Sequence, residues 1–259
     1  MNKVNYILFF LICSFCNAQT HTLEKKDAQA LNADFFVGAD SFDNIYYIKD
    51  RTLFKKGSVS TLQYTALSLG SISAVDIINP LKITVFYAKT NVAVILDNTL
   101  AEITRIDFNG IDNFRNVSHA TTATDRRLWI FNTDLQQLEL FDYNLLKVVT
   151  FFQSIEKLAD LQLSNFNLCY VLAENELLTY NIYGALLERK ASKPFTAIKE
   201  YNDHLIGLTD EGFYYKTPTD DGFSSIISPE IDVKGFYLID EILYIYNGQE
   251  LSTYQLKPI

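Results

Sequence analysis

Three histidines, one mid-chain cysteine and 31 carboxylates are the side chains of this sequence that could do chemistry. Hydrolysis of the Ser-His-Asp kind needs a serine presented beside a base, and no G-x-S-x-G turn is present. His21, His119 and His204 are far apart in the chain, and only His119, in NFRNVSHATT, follows a long connection able to line a surface. All three read first as solvated or strand-capping side chains. Cys169 lies in the apolar run NLCYVL, where a buried structural thiol is the simplest reading. No histidine pair has ligand spacing, so neither a metal nor a cofactor is expected. PTDDGF (218–223) carries part of a calcium-loop pattern without its alternating oxygen ligands or closing glutamate. Asp-Gly is also a common hairpin turn, and the segment is read as one.

Paired carboxylates could act on glycosides. Here the acids fall mostly in turns, among them Asp50, Asp97, Asp134, Glu174, Asp210, Glu211, Asp240 and Glu241. Solubility and turn geometry account for them. P-loop, dinucleotide and basic-stripe patterns are absent. A formal charge of −9 disfavours a phosphate backbone as partner, so no nucleic acid is expected.

The first eighteen residues read as a signal peptide. Lys3 precedes the apolar run YILFFLIC (6–13), which is too short to span a bilayer. Cys16 and Ala18 then occupy the −3 and −1 positions of a cleavage site before Gln19. Cleavage would remove Lys3 and no carboxylate, moving the charge to −10. It would also remove Cys13 and Cys16 and leave no transmembrane segment. The expected product is exported, periplasmic or peripheral to the outer membrane, with secretion as the second choice.

The elements that must position any site are short strands. Apolar, β-branched and aromatic runs alternate with Asn, Asp, Gly, Lys and Pro turns. Helical spacing shows only in LEKKDAQAL (23–31) and SIEKLADL (154–161). The strands recur as a unit, as in DNIYYIKDRTLFKK (43–56), LKITVFYAKTNVAVIL (81–96) and RLWIFNTDLQQLELFD (127–142). FNLCYVLAENELLTYN (166–181), DHLIGLTDEGFYYK (203–216) and EILYIYNGQELSTYQ (241–255) continue the series. The second strand of each unit opens at Ile45, Ile83, Leu128, Leu168, Leu205 and Ile242, at intervals of 38, 45, 40, 37 and 37 residues. That spacing predicts an all-β fold, a single propeller of six four-stranded blades over 19–259, with five or seven blades as alternatives. The last unit supplies only three strands, and THTLEK (20–25) is expected to close it as the fourth, sparing the ring an exposed edge.

DSFDNIYYIKDRTLFKK resembles the D-x-x-G-N-I-Y strand of NHL-like propellers, with Asp43 in place of the glycine. VDIINPLKITVFYAKTNVAVILDNTLAEI (75–103), with LWIFNTDLQQLELFD and LLTYNIYGALLERK, is similar to a family of exported Bacteroidota propellers. The resemblance covers nearly the whole chain after residue 18. It implies the fold and a cell-envelope location, and no chemistry.

In a propeller the connections entering each blade share one face with the turns between its second and third strands. That face is expected to carry Phe114, Arg115, Asn116, His119, Asp134, Glu174, Asp210 and Lys234. The longest entering connection, FNGIDNFRNVSH (108–119), has Phe114 and Arg115 at its centre, and both residue types are enriched at binding hot spots. The function expected is a non-enzymatic binding or scaffold propeller of the cell envelope with a protein partner. The alternatives are a lactonase-like hydrolase or lyase acting at the channel mouth and a secreted carbohydrate-binding module.

Overall fold

The structure is a computed structural model that describes residues 21–259. The signal-peptide reading, with Cys13 and Cys16, lies outside the described residues. Among the described residues, twenty-four strands form six four-stranded blades. The first strand of the described residues, β1 (His21–Ala30), belongs to the last blade. Blade 1 follows with β2 (Phe35–Ala39), β3 (Ile45–Lys49), β4 (Thr52–Lys56) and β5 (Thr61–Tyr64). Blade 2 holds β6 (Ala74–Asp76), β7 (Ile83–Tyr87), β8 (Val92–Leu96) and β9 (Glu102–Asp107). Blade 3 holds β10 (Val117–Thr122), β11 (Arg127–Asn132), β12 (Gln137–Asp142) and β13 (Lys147–Phe151). Blade 4 holds β14 (Leu161–Ser164), β15 (Leu168–Ala173), β16 (Glu176–Asn181) and β17 (Leu186–Ala191). Blade 5 holds β18 (Ala197–Tyr201), β19 (His204–Thr209), β20 (Gly212–Lys216) and β21 (Ser224–Ile227). Blade 6 is β22 (Gly235–Ile239), β23 (Ile242–Tyr246) and β24 (Glu250–Pro258), completed by β1.

Strand alternation explains why the runs are apolar almost throughout. On β7, Ile83, Val85 and Tyr87 pack toward blade 1, whereas Phe86 packs toward blade 3. On β11, Leu128 and Ile130 face blade 2 while Trp129 and Phe131 face blade 4. The middle strands of blades 2, 3 and 4 are buried on both faces, so period-two alternation produces no polar side there, whereas β4 and β20 keep a partly exposed face. The six buried apolar clusters correspond to the six seams between neighbouring blades.

The ring closes through β1, paired antiparallel to β24 along nearly its full length, from His21↔Pro258 to Ala30↔Glu250. The same strand also pairs parallel with β21 of blade 5 at His21↔Ile226 and Thr22↔Ile227, so blades 5 and 6 are joined along their outer edges. This strand corrects the helical reading of 23–31. As an outermost strand it buries only His21 and Leu23 and leaves 24–30 exposed, so its Lys, Glu, Asp and Gln residues mimic an amphipathic helix. Pairing with β24 overrides that local preference. Residues 154–161 also form no helix. They are a connection pinned by Ile155 N donating to Gln136 O (2.9 Å), and β14 starts at Leu161.

The turn of DSFDN lies in blade 1. Asp43 has a φ of 59°, the left-handed conformation for which glycine is the usual choice. Asp40 anchors the turn, accepting from the backbone N–H of Phe42 and of Asn44, each at 3.0 Å, and from the Tyr46 hydroxyl at 2.8 Å.

Candidate functional site

Because successive strands alternate in direction, the ring has an entry face and an opposite face. The entry face carries the connections into each blade and the second-to-third strand turns. All eight residues singled out from the sequence belong to its connections, its turns or the strand just below, but they do not form one cluster. Phe114, Arg115, Asn116 and Asp134 come together on blade 3. Glu174, Asp210 and Lys234 are spread around the rim on blades 4, 5 and 6.

Arg115 turns inward. Its Nε donates to Glu139 Oε2 at 2.8 Å, and Glu139 on β12 is fully buried. Its Nη1 donates to the carbonyls of Asn113 and Phe114, both at 3.0 Å. Burial pushes the Glu139 carboxyl up from its ordinary value, against the pull of the guanidinium. Asn91, in the turn between β7 and β8, donates to Arg115 O at 2.6 Å and accepts from Val117 N at 3.1 Å. Asn116 donates to Asp134 Oδ1 at 2.8 Å, tying the entering loop to the next turn. The loop 108–116 is thereby fixed at several points while the Phe114 side chain stays exposed.

Elsewhere on this face Glu174 pairs with Lys157, and Lys234 with Asp232 at 3.1 Å, all on solvated side chains. Such surface pairs contribute little to stability. Asp210 is exposed in its turn. His119 is half-buried on β10 with Nδ1 2.9 Å from the Ser118 hydroxyl, and burial lowers its pKa, favouring the neutral ring. Cys169 is fully buried between blades 3 and 4, its thiol pushed well up by burial, as expected for a structural cysteine.

A second arrangement lies along the axis, on residues the repeat reading placed on scaffold strands. Six inner strands surround a channel cavity of about 150 Å³. Asp76 comes from β6, Gln162 from β14, Lys199 and Glu200 from β18, and Tyr237 from β22. Toward the face opposite the entry loops it meets a vestibule of about 640 Å³, lined by Ser41, Asn167, Asn202, Phe166 and Tyr237 among others. Tyr237 occupies its position because β2 has Gly38 there. A Cβ on Gly38 would lie 2.6 Å from the Tyr237 ring.

Asp76 ties two blades, accepting from Thr122 N at 2.7 Å and Ile78 N at 3.0 Å. Burial pushes its carboxyl up, opposed mainly by those N–H contacts. Lys199 comes from the diametrically opposite blade. Burial lowers its pKa against the attraction of Asp76, yet no carboxylate among the described residues lies within 4.0 Å of its ammonium. Glu200 Oε1 accepts from Asp203 N at 2.8 Å and Asn165 Nδ2 at 3.3 Å, and burial pushes this carboxyl up. The signal that would have found these residues is charge inside the first strand of a unit, as in SAVDI and AIKEY. Among the described residues no group of three or more His, Cys, Asp or Glu is arranged to hold a metal ion.

No protein-family model matches the chain, and no curated protein matches it in sequence. Solved structures do match in shape. The β-propeller domain of Cps50 (Swd1) from Myceliophteria thermophila superposes with a TM-score of 0.64 at 6% identity, over 91% of this chain and 100% of that one. A chain in the mitotic checkpoint complex gives 0.58 at 11% identity, over 98% and 97%. Streptogramin B lyase gives 0.56 at 9% identity, over 89% and 98%. These likenesses place the chain among β-propellers, and at such identities they show the fold alone.

Proposed function

We propose that the protein is a non-enzymatic docking propeller of the cell envelope that holds a protein partner on its entry face at blades 3 and 4. One observation carries this reading. Phe114, Leu135 and Leu158 are each more than half exposed, and they sit on three neighbouring connections of that face. The Asn116–Asp134 bond and the Ile155–Gln136 backbone bond link those connections. Apolar side chains presented from fixed loops lose little entropy on docking, which is what an interface anchor requires. Exposed Asp112, Asp134 and Glu156 surround them, so the matching partner surface is apolar with basic residues at its edge. The signal-peptide pattern supports an exported location.

The test is affinity capture from envelope extract, comparing wild type with the Phe114→Ser/Leu158→Ser double variant. Wild type is expected to retain a specific protein that the variant loses. Equal recovery by both, or no specific protein with either, would remove the proposal.

A further inference from the structure

The axial cavities lie on the far side of the ring from the docking loops and have their own chemistry. The channel and vestibule share Ile77, Ile78, Glu200 and Tyr237 in their walls, so they join into one recess. The vestibule alone, at about 640 Å³, falls within the range of small-molecule sites.

Three polar groups in the recess are left without protein partners. Gln162 Oε1 is buried with no hydrogen-bond donor, although its Nε2 donates to Thr121 Oγ1 at 2.9 Å and Trp129 O at 3.0 Å. The half-buried Lys199 lines the channel, and its ammonium contacts no acceptor among the described residues. Both contacts to Glu200 fall on Oε1, and Oε2 takes none among the described residues. The Gln162 oxygen has almost no exposed surface, whereas Lys199 and Glu200 line the cavity with bonding capacity left free for a ligand.

Charge selects the class of counterpart. Asp76 and Glu200 within the recess, with Asp40 and Asp203 at its mouth, oppose an anionic ligand. A cation in the channel would meet the Lys199 ammonium. A neutral molecule carrying both O–H donors and oxygen acceptors satisfies Lys199 and Glu200 together. The vestibule extends the same chemistry with the uncharged, exposed side chains of Ser41, Asn167 and Asn202. The rings of Phe166 and Tyr237 supply faces for C–H contact. We propose that this recess binds a neutral sugar of monosaccharide size, its hydroxyls meeting Lys199 and Glu200.

Saturation-transfer NMR on the full chain tests this. The probes are D-glucose, D-galactose, D-mannose and N-acetyl-D-glucosamine at millimolar concentration, with alanine, propylamine and acetate as charged comparators. At least one sugar is expected to receive transfer from wild type. Its affinity is expected to fall about tenfold in Lys199→Met and in Glu200→Gln, as for loss of one hydrogen bond to a charged group. Glu200→Gln keeps the side-chain shape and serves if Lys199→Met does not fold, with folding checked by melting curves. Transfer to no sugar, as for a recess that holds water only, would overturn the proposal. So would transfer undiminished in the folded variants, or transfer to a charged comparator in place of the sugars.

Discussion

On the entry face Arg115 and Glu139 meet at 2.8 Å, while in the channel Lys199 and Asp76 interact without contact. The first buries its carboxylate fully, whereas the second lines a cavity with half-buried side chains. In the first, the guanidinium bonds to Glu139 and to two carbonyls of its own loop, so the charge fixes the loop that displays Phe114. In the second, Asp76 is held by backbone N–H groups while Lys199 is left without a protein acceptor. A buried pair that bonds directly is part of the scaffold, and removing one partner strands the other. A half-buried charge that makes no direct contact holds nothing in place, and its removal should cost the fold little.

The largest expected effect is Arg115→Met. It leaves Glu139 buried without its counter-charge and should cost about 3 kcal/mol in a urea titration. Full stability in that variant would show that the contact with Glu139 does not hold the loop. Next comes Gly38→Ala, whose methyl would strike the Tyr237 ring and Ile77 Cδ1 at under 3 Å. Overpacking of this kind should cost about 2 kcal/mol, read as a lower melting temperature, with altered tyrosine signals at the channel.

The pH dependence sharpens the same contrast. Glu139 has a folded pKa raised above its ordinary 4.5, so the native state holds that proton more tightly than the unfolded chain. Stability attributable to this group is therefore greatest at low pH and falls as pH rises from about 4.5 through the raised value. Relative to wild type, Glu139→Gln should lose part of that downward slope in melting curves taken across the range. An unchanged slope would mean that Glu139 is not the group responsible. The smallest stability effect is expected for Phe114→Ser. An exposed side chain away from the core should change stability by less than about 0.5 kcal/mol, so a larger loss would make Phe114 structural and weaken its role as an anchor.

The contrast also marks where sequence reading stops. Blade number, ring closure by the N-terminal strand and the positions of the middle strands were legible because every seam repeats the same period-two burial. Expected openings at Ile45, Ile83, Leu168 and Ile242 coincide with the first residues of β3, β7, β15 and β23, and those at Leu128 and Leu205 fall one residue inside β11 and β19. The stretch INPLKITVFYAKTNVAVILDNTL is the middle of blade 2, as its pattern predicts. Side-chain partners were not legible. Arg115 reads as an exposed loop arginine, since its partner lies 24 residues on, within the apolar strand QLELFD. Asp76 and Lys199 are 123 positions apart and face one another only because the ring places blades 2 and 5 on opposite sides. The outer strand β1 misled for a different reason, since its exposed residues follow no strand alternation.

The two charge arrangements are tested most directly by parallel urea titrations of wild type, Arg115→Met and Lys199→Met at neutral pH. Arg115→Met should be strongly destabilised, while Lys199→Met should stay close to wild type, because the Lys199 ammonium makes no direct contact and methionine keeps most of the side-chain volume. Comparable losses in both variants would contradict the account, showing that Lys199 belongs to the scaffold as firmly as Arg115 does.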